Sequence, residues 1–206
     1  KSGQNVTDAI FSSGFGSTSR LYEQSTQRLG MTPTQYKKGG FRQRISFIVQ
    51  PSQWGFVLIA ATDIGVCMVH LGNSITDLLL QLKHEFPLAT LVTAKDSEPL
   101  QHWMKVLIFY INEQGPMPEL PLHWFGTAFQ MTVWELLISL KHGQRISYKG
   151  VAAAIGSPKA HRAVARACAA NNIALLVPCH RVLRSDGSLG GYRWGIERKE
   201  MILNRE

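Results

Sequence analysis

The chain has 206 residues, 45% of them apolar, and a formal net charge of +8. This length allows one large domain or two small ones around a real core, excludes a disordered chain, and carries a basic balance that points to nucleic acid or another anionic surface. Three cysteines, Cys67, Cys168 and Cys179, with no Cys-x-x-Cys pair and no zinc-like histidine spacing, exclude a disulfide framework and point to a reducing cytosol, while no apolar run is long enough for a membrane helix or a signal peptide.

Three segments follow in chain order. In the first, roughly Val6 to Lys38, "VTDAIFSSGF" and "GSTSRLYEQSTQRLG" read as two short helices around a Gly turn, with Ser17 or Thr18 capping the second, and suggest a helix-turn-helix. In the second, residues 41–119, "RISFIVQPS", "GFVLIAAT" and "GVCMVHLG" read as strands joined by turns at Gln53-Trp54-Gly55 and Thr62-Asp63-Ile64-Gly65. Two amphipathic helices follow, "SITDLLLQLKHEF", capped by Ser74, and "SEPLQHWMKVLIFYINEQ", making a small α/β layer.

In the third segment, residues 120–206, "GTAFQMTVWELLISLKHG" reads as a helix starting near Thr127. Two more helices, "SYKGVAAAIG" with Ser147 as its cap and "PKAHRAVARACAAN" with Pro158 in its first turn, are separated only by Gly156-Ser157 and form another helix-turn-helix. "IALLVPCHRV" reads as a buried strand running into Cys179, followed by an Asp186-Gly187 turn and a last helix, "IERKEMILNRE".

Two features carry chemistry. Cys179 stands beside His180, but neighbours on an extended strand face opposite ways, so adjacency alone does not make a dyad. From pattern alone Cys179 is either a nucleophile or an inert buried thiol. The helix after Pro158 presents six alanines, Ala160, Ala163, Ala165, Ala167, Ala169 and Ala170, with Arg162 and Arg166 one turn apart. Its thin surface suits either a close approach to a DNA groove or tight packing on a neighbouring helix.

The run from "FQMTVWELL" through "ISY", "HRAV", "PCHRV" and "GGY" resembles the O6-alkylguanine-DNA alkyltransferases, with the pieces in the expected order and spacing. Likeness extends upstream through "GVCMVHLG", and residues 1–38 are similar to the end of an AraC-type DNA-binding domain, which together is the layout of Ada-type proteins. The resemblance implies α/β plus α architecture: a ribonuclease H-like layer, then a winged helix-turn-helix-like domain holding the active site. It implies irreversible transfer of a methyl or larger alkyl group from O6-methylguanine, and also from O4-methylthymine, in double-stranded DNA onto Cys179.

In that family the thiol is activated by a histidine–water relay backed by a glutamate, which His180 and Glu206 match. Tyr148 matches a tyrosine that helps rotate the nucleotide out of the stack, Arg162 an arginine that fills the gap, and Asn171 an asparagine that braces the turn before the acceptor. Ser157, Ala163 and Arg166 would share the DNA contact. Val182, Tyr192, Arg193 and Cys168 would line the base pocket, and Arg193 with Trp194 points to a tight site that prefers methyl over bulky groups. The resemblance implies no cofactor, no metal, no obligate protein partner, a monomer, and a bacterial cytoplasmic setting. An Ada-type regulator carries an upstream module with four zinc-binding cysteines; with that set and half of the AraC-type reader absent from this sequence, and with Glu23 where a basic side chain is expected, residues 1–38 are expected to be a truncated reader. Two other functions compete: a lesion sensor or transcription regulator without chemistry, disfavoured by Cys179 although a residual regulatory role can coexist with repair, and a cysteine hydrolase, which needs an orienting group and an oxyanion hole.

Overall fold

A computed structural model of the chain describes residues 43–94, 97–113 and 115–206. The helix-turn-helix expected over residues 1–38, with Glu23, lies outside the described residues.

Strands β1 (Arg44–Ser52), β2 (Gly55–Ala61) and β3 (Val66–Gly72) form an antiparallel meander, and β4 (Thr90–Thr93) lies parallel to β1, giving the order β3-β2-β1-β4. The three meander strands and both turns fall where the turn chemistry predicts. The first turn needs its glycine: Gly55 has φ +95, and a Cβ there would come within 2.5 Å of the Gly72 carbonyl oxygen. Four-residue β4 was not legible, because "TLVT" is too short to show a period of two.

Helix α1 (Ile75–Glu85) starts at Ser74, whose side chain accepts from the Asp77 amide, and α2 (Glu98–Glu113) follows β4. The helices cover opposite faces of the sheet. Leu78 and Leu82 of α1 join Leu58, Ala60 and Met68, while Leu100, Met104, Leu107 and Ile111 of α2 join Val57, Ile59 and Leu71. Burial on both faces explains why β2 reads as an unbroken apolar run.

Helix α3 (Ala128–Ile138) opens with a capping box between Thr127 and Gln130. After it come β5 (Ile146–Ser147), α4 (Tyr148–Ala154) capped by Ser147, α5 (His161–Ala169), a 3-10 turn (Cys179–Arg181), β6 (Val182–Leu183) and α6 (Ile196–Arg205). Strands β5 and β6 pair in parallel, and Trp134 of α3 donates from Nε1 to the Ala167 carbonyl of α5 at 2.9 Å. Among the described residues no helix is long and apolar enough to cross a membrane.

Two sequence expectations need correction. Pro158 does not open α5, which begins at His161. It lies instead in a turn closed by the Ala160 amide on the Ser157 carbonyl at 2.8 Å, where its fixed φ is equally at home, so the link between α4 and α5 is longer than Gly156-Ser157. Nor is Ile173–Val177 a strand. Only Ile173 bridges the sheet, opposite Val69, and the chain then turns through Leu175 at φ 68. A short apolar run looks the same in a buried strand and in a buried turn.

Candidate active site

The turn before Cys179 is built by one side chain. Asn171, 1% exposed, accepts from the Ile173 amide through Oδ1 at 2.8 Å, and its Nδ2 donates to the carbonyls of Val177 at 3.0 Å and Ile173 at 3.3 Å. These bonds satisfy polar backbone groups that have no ladder to join and hold Leu175 in a left-handed conformation that costs an ordinary side chain energy. The turn is also fixed from outside: the Val69 amide donates to Asn172, and the Ala174 amide returns to Val69, each at 2.9 Å. The sheet edge thus sets the height of the loop that delivers Cys179.

Pro178 ends the turn and the chain winds into the 3-10 segment Cys179–Arg181. A 3-10 turn rotates successive side chains by about a third of a circle, so Cys179 and His180 are not thrown to opposite sides as an extended strand would place them. Cys179 is 4% exposed, and Asn171 Nδ2 also donates to its Sγ at 3.2 Å. Burial pushes the thiol up to about 11, opposed by the Asn171 hydrogen bond, by Lys199, by its own backbone amide and by Arg193, all of which favour the thiolate.

His180 is fully buried, and its Nε2 lies 3.1 Å from Glu206 Oε1. Burial tends to raise the Glu206 carboxyl, but hydrogen bonds and charge from His180 and Arg181 outweigh it and hold the group at about 2. An anionic acceptor at Nε2 puts the ring proton there and leaves Nδ1 as the basic lone pair. Burial lowers the His180 pKa against the pull of Glu206, so the ring is neutral and ready to accept a proton. Arg181 fixes the carboxylate from the other side, with Nε on Oε2 at 2.9 Å and Nη2 on Oε1 at 2.8 Å, while Nη1 reaches the Leu140 carbonyl.

Lys199 is the group that sequence reading missed most plainly. It is 0% exposed, its Nζ donates to the Val182 carbonyl at 2.6 Å, and its charge acts on Cys179 and Cys168. The signal was available: Lys199 shares the i, i+3, i+4 stripe of α6 with buried Ile202 and Leu203. Arg181, inside "PCHRV", was likewise not singled out.

The remaining expected residues divide between wall and surface. Tyr148, at the start of α4, lies against Gly190, where a Cβ would meet its hydroxyl at 2.6 Å, and burial raises its pKa to about 12 within electrostatic reach of Cys168 and Cys179. Val182 is fully buried, Cys168 is 8% exposed, and the buried Tyr192 hydroxyl belongs to a ring edge-on to His180 at 6.4 Å and to Trp194 at 5.0 Å. Arg193 is exposed and faces Glu85 at 3.6 Å. On the outer side of α5, Arg162 and Arg166 are exposed, and Ala163 and Ser157 are half-buried. Among the described residues no group of three or more His, Cys, Asp or Glu side chains gathers to hold a metal ion.

Residues 128–206 match the family described as 6-O-methylguanine DNA methyltransferase, DNA binding domain. The chain is 40% identical over 208 residues to the Bifunctional transcriptional activator/DNA repair enzyme Ada of Escherichia coli (strain K12), covering 99% of this chain and 57% of that protein. It is 36% identical over 154 residues to the inducible Methylated-DNA--protein-cysteine methyltransferase of Bacillus subtilis (strain 168), covering 74% of this chain and 84% of that one. Among solved structures, the O6-methylguanine methyltransferase of Mycobacterium tuberculosis aligns with a TM-score of 0.63 at 27% identity, over 78% of this chain and 92% of that chain. The chain thus spans little more than half the length of the Ada relative.

Proposed function

Because the chain belongs to the methylated-DNA--protein-cysteine methyltransferase family, we propose that it repairs DNA by moving the alkyl group of O6-methylguanine onto its own Cys179. The observation that carries this reading is the geometry around the thiol: Asn171 Nδ2 donates to Cys179 Sγ at 3.2 Å, and Glu206 holds the neighbouring His180 by Nε2 at 3.1 Å. Cys179 is buried, yet Asn171, Lys199 and Arg193 all favour its anion, and the next residue is a histidine held with Nδ1 basic.

The steps follow from these groups. His180 Nδ1 takes the thiol proton through a water, and the resulting imidazolium is stabilised by Glu206. The Sγ lone pair attacks the methyl carbon in line, the C–S bond forms, and the carbon–O6 bond breaks. The electron pair stays on the purine, which takes up a proton from solvent and remains in the strand as guanine, while His180 returns the thiol proton to solvent. The product is a thioether that no residue near Cys179 can reverse, so each molecule acts once and needs no cofactor. O4-methylthymine presents the same chemistry.

The target atom is inside the duplex, so the nucleotide must leave the stack. The exposure of Arg162 and Arg166 supports reading α5 as the groove element, with Arg162 filling the gap, Arg166 and Ser157 on the backbone, and Ala163 allowing close approach. Tyr148 helps turn the nucleotide, and Val182, Tyr192, Arg193 and Cys168 receive the base. Trp194, 4% exposed between the rings of Tyr192 and His70, narrows this pocket and favours methyl over bulky groups. Residues 41–119 are read as a ribonuclease H-like layer, residues 120–206 as a winged helix-turn-helix-like catalytic domain, and the protein as a bacterial cytoplasmic monomer.

The test is to mix the protein with a short duplex holding one O6-methylguanine, weigh the intact chain and map the modified peptide. The expected outcome is the mass of one methyl group on Cys179, saturating at one per molecule. An unchanged mass with the lesion still bound would replace repair with lesion sensing.

A further inference from the structure

Tyr110 is a buried group that the steps above do not use. It sits on α2, against the sheet, yet its side chain reaches the C-terminal end of α6. The residue is 1% exposed, and its hydroxyl is a buried oxygen without a well-formed hydrogen bond. An unengaged buried donor is costly, so an acceptor within its reach is favoured as a partner.

The acceptor beside it is Glu206, which acts on the phenol both as a charge and as a hydrogen-bonding group. A carboxylate offers about four lone-pair positions. In Glu206, Oε1 receives His180 and Arg181, whereas Oε2 receives Arg181 alone. One position on Oε2 is therefore open.

The ring is held in place by the residue preceding Glu206. The Arg205 guanidinium stacks 4.5 Å from the Tyr110 ring centroid and 4.8 Å from that of Trp54. The same guanidinium donates to the backbone carbonyls of Tyr110 and Ile111. Thus α2 and the last turn of α6 are tied together through Arg205, the neighbour of Glu206.

We propose that Tyr110 is a positioning residue of the proton relay: its hydroxyl donates to Glu206 and holds the carboxylate that orients His180. The inference rests on the methyl-transfer reading and extends it by bringing the sheet layer into the relay. Charged and titratable groups around these side chains all bear on the outcome. Tyr110 meets Glu206, Arg205 and Arg181 and lies near Tyr192, whereas His180 meets Glu206, Arg181 and Lys199. Tyr110 touches neither thiol nor base, so it acts only through Glu206.

Removing the hydroxyl has a defined sign. Glu206 loses a donor, its charge acts more fully on His180, and the imidazolium is favoured. In Tyr110→Phe the imidazole of His180, followed by NMR, is expected to titrate at higher pH than in the wild type. The acid limb of the single-turnover transfer rate should move upward with it, and the plateau rate should fall about tenfold, as for loss of other orienting partners. In a Glu206→Gln background the same substitution should add almost nothing. An unmoved His180 titration, or a full additive loss in the Glu206→Gln background, overturns the proposal and reduces Tyr110 to packing. Should the wild type transfer no methyl group, the parent reading fails on that result alone, while the His180 titration still decides the role of Tyr110.

Discussion

At the residue scale, Glu206 is the side chain on which most of the site converges. It anchors His180, pairs with Arg181 in two-point geometry and is 2% exposed at its side chain. Its carboxyl is held at about 2 against the ordinary 4.5, so the folded state binds a proton there less readily than the unfolded one. That contribution is fully present above the unfolded value and is lost as pH falls through the folded one, which sets the window at roughly pH 4.5 to 2. Glu206→Gln removes the charge and leaves Arg181 buried without its anion, a loss of about 3 kcal/mol at neutral pH. Urea melts at pH 7 should show that loss. Between pH 4.5 and 2 the gap between variant and wild type should close, because the wild type forfeits the same interaction by protonation. A gap that stays constant down to pH 2 would mean that the Glu206 charge adds nothing to stability.

At the scale of elements, α5 divides its labour by face. Val164, Ala167 and Cys168 are buried against the body, while Arg162 and Arg166 face outward one turn apart. If α5 lies along DNA, Arg166→Ala removes one phosphate contact and reduces the slope of log affinity against log salt by about one, with a similar loss on any duplex sequence. Filter binding on an undamaged duplex at several salt concentrations measures this, and an unchanged slope would take α5 off the backbone. The elements themselves were largely legible. The meander could be read because Gly55 and Gly65 punctuate it, and helices α1, α3 and α4 because Ser74, Thr127 and Ser147 announce their first turns. The Asn171–Cys179 loop was not, because its shape comes from an amide side chain folding back on its own backbone and from a sheet edge about a hundred residues away. No local pattern encodes a left-handed Leu175, a position where glycine or asparagine is the readable choice. Lys199 and Tyr110 escaped for a related reason: a lysine in a helix reads as solvated and a tyrosine on an apolar stripe as core, until the partner from another element is in place.

At the scale of the molecule, the two segments expected as separate units share their interior. One apolar cluster runs from Val57 and Ile59 of the sheet through Leu107 and Tyr110 of α2 to Trp134, Val177, Cys179 and Ile202. Around it, polar ties cross the same boundary. Arg198 donates to the Trp54 carbonyl at 3.0 Å and also to Asn73, and Arg205 is held between Trp54 and Tyr110. Two domains joined only by a linker would open independently, whereas a shared core makes opening of one half expose apolar surface of the other, at about 25 cal/mol per Å². The slowest-exchanging amides of β2 and of α3, on opposite sides of the boundary near residue 120, should therefore report the same opening free energy in native-state hydrogen exchange. Arg205→Ala should lower both values together, because loss of the tie weakens the shared interface and not one half. Opening energies that differ by more than about 2 kcal/mol, or a drop confined to α3, would show that the catalytic half folds on its own and that the sheet layer serves it only as a support.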